Sequence, residues 1–346
     1  MNFSNAILKE ISVHYIGNRS FQQNIFLSKN NLKLDELVSN KLTNYFLGRF
    51  QNIYDEYQFS HPSSLKYNEV YNFISDVFSD VITLHESSLN IAKHLYENSV
   101  HPKIKQGELY VCLFQNCEFE NKQVDAIGIF KTENKHGFFE VDRNDKNFSI
   151  LYKEGIDINK FEKGCLIFNT NSKNGFEVLI LDNQNRGEEA LYWKDNFLGL
   201  TQKTNTYLQT NQVLSITKNY VTKQLSEEFE ITKADQIDLL NRSVEYFKGH
   251  DIFNQNQFEN EVLIDNSIIE SYRKFDFSYK ENNEIDLADN FDISPQAVKK
   301  QARIFKSVLK LDKNFHIYIH GNRNLIEQGT ENDGRKYYKI YFEYEE

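Results

Sequence analysis

Proline and glycine are scarce in this chain: 3 Pro and 14 Gly among 346 residues leave little material for long flexible linkers. Cysteine occurs only at Cys112, Cys117 and Cys165. That odd number, without zinc-ligand spacing, gives no disulfide framework and no zinc site; lying in or beside strand-like runs, the three are predicted to be buried free thiols. No run approaches the ~18 apolar residues of a membrane span. The opening MNFSNAILKE lacks the basic-then-apolar layout of a signal peptide. A cytoplasmic protein with no membrane partner is expected.

Catalytic signatures are missing as well. There is no phosphate-binding G-x-x-x-x-G-K loop, no G-x-S-x-G elbow and no dinucleotide glycine pattern. HESSL at His85–Leu89 begins like a zinc-protease HExxH, but Leu89 stands where the second His must lie. Asp182, at the end of FEVLILDN, and Glu177 are carboxylates that a metal-dependent nuclease would use. No lysine follows at suitable spacing, and a strand-end Asp is ordinarily a turn or cap residue. The sequence therefore calls for no cofactor, no metal and no catalytic residue, and an enzyme is not expected.

What the chain does have is apolar material: 40% hydrophobic and 14% aromatic residues can bury a sizeable core, and the length predicts two domains. Its net charge of −10 opposes a simple nucleic-acid reading, because non-specific DNA affinity comes from cations that neutralise phosphates. The average conceals an asymmetry. Between Ser294 and Lys339 ten basic residues face four acidic ones, so this window is +6 and the remainder −16.

The apolar period changes near the middle. Ala6–Ile16 alternates as a strand, with Asn24–Ser28 a candidate partner. Leu34 through Tyr54 then recurs at helical spacing, as does Val70 through Val81, and Ser88 is a candidate cap for a third helix through Tyr96. The period next drops to two in short runs at Glu108–Phe114, Val124–Lys131, Phe138–Val141, Phe148–Tyr152, Cys165–Asn169 and Phe176–Asp182. Connections this short predict an antiparallel meander, one face covered by the early helices. Within Ala190–Leu214, Tyr192, Trp193, Phe197 and Leu198 can turn onto one buried face before Gly199. Helical spacing resumes at Val213–Leu225, Ile237–Phe247, Phe258–Leu263 and Ile268–Lys274.

Four of these places resemble one family in the same order. They are the strand around Asn5–Ile16; GELYVCLF with VDAIGIFK; the aromatic pair before Phe197, Leu198 and Gly199, with the helix carrying Asn205, Asn211, Val213 and Leu214; and NFHIYIHGNRNLIE. Together they are similar to the bacterial 37-kDa nucleoid-associated protein family, of which this chain looks like a distant member. The resemblance implies association with the bacterial nucleoid through non-catalytic, largely sequence-independent binding of double-stranded DNA.

The expected architecture is α+β. Residues 1–195 form a domain with a largely antiparallel sheet and covering helices. Residues 196–346 form a mostly helical domain ending in a two-stranded unit, NFHIYIH with KYYKIYFEY.

Ser294 is a candidate N-cap with Pro295 at the first helical position. A helix from there lines up Val298, Ala302, Phe305 and Leu309. Beside them Lys299, Arg303, Lys306 and Lys310 form a row, either a solvated face or a contact for DNA phosphate. With Lys300, Lys313 and Arg323 they make the candidate DNA-binding set. Alternation in NFHIYIH sends Phe315, Ile317 and Ile319 inward, and His316, Tyr318 and His320 outward. A fainter pattern over Ile285–Ile304 reads as a helix-turn-helix presenting Gln296, Lys299 and Lys300. The principal rival is an acidic adaptor for DNA-processing proteins with little direct DNA contact; a cryptic nuclease is the third reading. Oligomeric state stays open, a homodimer included.

Overall fold

The computed structural model describes residues 1–144, 147–160, 162–182, 192–303, 305, 308–319 and 325–344. The architecture is α+β, and the chain divides into two compact units, Met1–Lys203 and Thr204–Glu346.

The first unit runs β1 (Ile7–Ile16), α1 (Glu36–Leu47), β2 (Glu56–Phe59), α2 (Glu69–Phe78), α3 (Leu84–Asn98), β3 (Gly107–Phe119) and β4 (Lys122–Thr132). It continues through β5 (His136–Asn144), β6 (Asn147–Gly155), β7 (Lys163–Phe168), β8 (Glu177–Asp182), a π-helix at Tyr192–Leu198 and β9 (Leu200–Gln202). Seven strands form an antiparallel sheet in the order β1-β3-β4-β7-β8-β2-β9. The β3–β4 hairpin closes through Glu120 and Asn121, both at positive φ, as a two-residue turn matched to strand twist requires. The meander is thus the predicted one, except that β5 and β6 leave the sheet and pair only with each other.

Both faces of the sheet are covered, not one. Leu109, Val111, Ile127, Ile129 and Ile167 pack with Val70 and Ile74 of α2, Ile91 and Leu95 of α3, and Trp193. The alternate residues Tyr110, Cys112, Phe114, Phe130 and Phe168 pack with Phe46 and Leu47 of α1 and with Phe50. This explains the unbroken apolar runs of β3 and β4: a strand buried on both sides has no polar face. All three thiols lie in this core, free and buried. Trp193 is fully buried, as its aromatic neighbours implied.

Three helix boundaries differ from the sequence reading. α1 stops at Leu47, capped at Asp35; two tight turns then carry Phe50 into the core, so helical spacing persists without a helix. α2 ends before Asp80, which takes φ +55°, and Val81 is exposed. α3 is capped by Thr83 with Glu86 in a capping box; Ser88 lies inside the helix, where its hydroxyl donates to the His85 carbonyl at 2.6 Å.

The second unit contains α4 (Thr206–Asn219, capped by Asn205), α5 (Lys233–Gly249), β10 (Ile252–Asn254), α6 (Asn266–Asn282), β11 (Asn290–Asp292) and α7 (Pro295–Ala302). Then follow β12 (Val308–Leu311), β13 (Phe315–Tyr318), β14 (Ile326–Thr330) and β15 (Lys336–Ile340). Leu214, Tyr220, Phe247, Phe253, Phe258 and Tyr272 anchor its main core. The terminal strands form two hairpins, β12 with β13 and β14 with β15, so among the described residues NFHIYIH does not pair with KYYKIYFEY. Asp312-Lys313-Asn314 is turn chemistry between two alternating runs, and this local closure wins over the longer-range pairing.

Candidate nucleic-acid interface

The N-terminus of α7 forms as its sequence predicts. The Ser294 side chain accepts from the Ala297 amide at 3.4 Å, and Pro295 occupies the first turn. Ala297 and Val298 are buried. The Ser294 amide donates to Thr210 Oγ1 at 3.0 Å, and Gln301 Nε2, itself buried, donates to Asn211 Oδ1 at 3.0 Å. Such polar contacts fix α7 against α4, leaving Gln296, Lys299 and Arg303 on the outer side.

The helix stops at Ala302, with Arg303 as its C-cap, and Lys310 lies on β12 opposite His316. The expected helical row of Lys299, Arg303, Lys306 and Lys310 is therefore not formed. Apolar residues at 298, 302, 305 and 309 satisfy a helical period, but Leu309 and Leu311 also satisfy a period of two, and strand pairing with β13 prevails. Lys306 and Arg323 lie outside the described residues, as does His320. Phe315, expected to point inward, is exposed, whereas Ile319 is buried.

The remaining candidates fall into two groups. Lys299 on α7 and Arg303 at its C-cap lie four residues apart beside a groove of about 510 Å³. Phe247, Ile293 and Val298 are its buried lining, and Lys248 at the end of α5 adds a third exposed cation. Lys248 also reaches Glu245 Oε1 at 2.8 Å, an exposed pair that costs a competing phosphate little to displace. Lys310 and Lys313 form the second group on the β12–β13 hairpin, which packs through Leu309 and Ile319 against Ala234 and Ile237 of α5. Ile237 and Phe247 are about 15 Å apart along a helix axis. One helix thus spaces the two groups. Lys300 takes a different direction: its Nζ donates to Tyr207 Oη at 2.9 Å and lies 5.4 Å from that ring's centre.

The family model for the nucleoid-associated protein YejK matches residues 12–335. The chain belongs to that family. Its role is accordingly a nucleoid-associated one. No curated protein matches the chain, and among the described residues no helix is long and apolar enough to cross a membrane.

Within this family member, residues of the central signature hold local structure in each unit. Gly199 takes φ +63°, and a Cβ there would lie 2.6 Å from Asn68 Nδ2. That amide donates to the carbonyls of Leu198 and Ser60 at 2.9 and 3.0 Å, so the glycine permits the close approach. Asn205 caps α4, and Asn211 receives Gln301.

The other sequence candidates are occupied elsewhere. Ile285–Ala288 is not helical and Asn290–Asp292 pairs with β10, so the first helix of a helix-turn-helix is not formed. Its weak signal came from apolar residues that serve the core of the second unit. In HESSL, Glu86 completes the α3 capping box, and His85 Nδ1 lies 3.0 Å from Ser12 Oγ. Asp182 Oδ1 accepts from Lys163 Nζ at 3.1 Å, and Glu177 accepts from Lys203 Nζ at 2.6 Å. Lys248 was missed because its acidic neighbour Glu245 hides it in any count of charge along the chain.

Proposed function

We propose that this protein binds double-stranded DNA without catalysis and largely without sequence preference, through Lys299 on α7, Arg303 at its C-cap, Lys248, and Lys310 and Lys313 on the β12–β13 hairpin. The observation that carries the reading is the attachment of both cation groups to α5 in a chain otherwise strongly acidic. Exposed cations on two separately packed elements neutralise phosphates at spaced points. They need no groove-reading helix, and such contacts fix position on the duplex without reading bases.

The test is duplex binding by fluorescence anisotropy over a range of salt concentrations. Reversing Lys299, Arg303, Lys310 and Lys313 to Glu should weaken binding by orders of magnitude and flatten the slope of log affinity against log salt by roughly 3 to 4 units. All four are exposed, so circular dichroism and melting should remain those of the parent. An intact variant with parental affinity and slope overturns the reading and makes the protein-adaptor role the better one.

Absence of catalysis is tested separately. Purified protein should leave plasmid and oligonucleotide DNA uncut with Mg²⁺ or Mn²⁺. Cleavage that vanished in Asp182→Ala would replace this proposal with a nuclease.

A further inference from the structure

The β5–β6 hairpin projects from the β4–β7 connection and joins no other strand among the described residues. Its two faces differ. Phe139 pairs with Tyr152, Val141 with Ile150, and Arg143 with Phe148, so strand alternation gathers five large apolar side chains on one face. They are 72%, 61%, 61%, 66% and 71% exposed for Phe139, Tyr152, Val141, Ile150 and Phe148 respectively. The opposite face is interrupted by an ion pair between Lys153 and Glu140. A lone two-stranded hairpin is marginal in water, and an open apolar face of this kind marks a docking surface.

We infer that the occupant is the same face of a second copy of this chain, packed tip to base about a two-fold axis. Two features select a second copy. With aromatic side chains of the usual size, the five residues leave on the order of 600 Å² open per copy, close to the ~800 Å² per partner of a stable interface. The charges on this face are also self-complementary. Arg143 lies toward the tip, whereas Glu154, opposite Gly137, lies at the base, six ladder positions or about 20 Å away. The midpoint of that span falls between the Phe139–Tyr152 and Val141–Ile150 pairs. Reversing one hairpin over another therefore brings Arg143 of each copy to Glu154 of its partner twice, with the axis passing between the Phe139–Tyr152 and Val141–Ile150 pairs. Parallel stacking would instead place like charges together. An isologous interface of this form closes on itself and ends at the dimer.

Sedimentation velocity on the full chain tests the inference. The parent should be a dimer, and Val141→Asp with Ile150→Asp should be a monomer with an unchanged melting profile. Arg143→Glu and Glu154→Arg should each raise the dimer dissociation constant by about tenfold or more, and the two together should restore it to within about threefold. A parent that stays monomeric to about 100 µM overturns the proposal and assigns the face to a different partner. A dimer that survives the two aspartates overturns it as well. A double reversal no better than either single one overturns the tip-to-base arrangement.

Discussion

His14 is 2% exposed and neutral in its hydrogen bonding: Nδ1 accepts from the Ser28 amide at 3.1 Å, leaving Nε2 to donate to Ser88 Oγ at 2.9 Å. Burial, assisted by the nearby His85, lowers its pKa from 6.5 to about 4. The unfolded chain therefore takes up a proton that the folded chain refuses. Stability from this residue is complete above pH 6.5 and is lost as pH falls toward 4, by on the order of 3 kcal/mol. His14→Gln keeps an amide donor but cannot titrate. Its urea-unfolding free energy should fall less between pH 6.5 and 4 than that of the parent; parallel curves would contradict the assignment. Ser88 shows why such a site was hard to read beforehand. It is a good helix cap by type, but its hydroxyl serves a histidine 74 positions away, a contact no local pattern records.

At the level of the element, α7 depends on Gln301. Its side chain is buried and spans to Asn211 and Ser215, at 3.0 and 3.5 Å, holding an eight-residue helix too short to persist alone. Gln301→Leu keeps the volume and removes both bonds, leaving Asn211 without this donor. The expected cost is about 1 to 3 kcal/mol by chemical denaturation, with DNA affinity falling while the salt slope stays unchanged, because no cation has been removed. A flattened slope would show that the substitution acts on charge placement instead. The start of α7 was legible because Ser-Pro is a local signal whose partner amide lies three residues on. Its end was not, because 298, 302, 305 and 309 fit a helix and only pairing with β13 decides otherwise. The sheet strands were legible for the same local reason, their period of two. That both faces were covered could be inferred only from where α1 packs, which is a tertiary fact.

For the whole molecule, each unit closes its own core. Among the described residues, the apolar clusters around Trp193 and around Phe130 draw only on residues up to Leu200, and those around Phe247 and Leu309 only on residues from Val213 onward. Residues 1–203 and 204–346 expressed separately should therefore each unfold cooperatively by calorimetry. DNA binding should stay with the second piece and self-association with the first. A piece that lacks a cooperative transition would show that the cores are not independent. All three cysteines lie in the first unit: Cys112 on β3, Cys165 on β7, and Cys117 where the β3–β4 register shifts. Burial pushes the Cys117 thiol up to about 12 and the other two upward as well. None can ionise and meet an alkylating reagent until its strand parts from the sheet. The rate at which native protein is alkylated is thus a clock for opening of the seven-stranded sheet, and the second unit, having no sulfhydryl, does not contribute to the count.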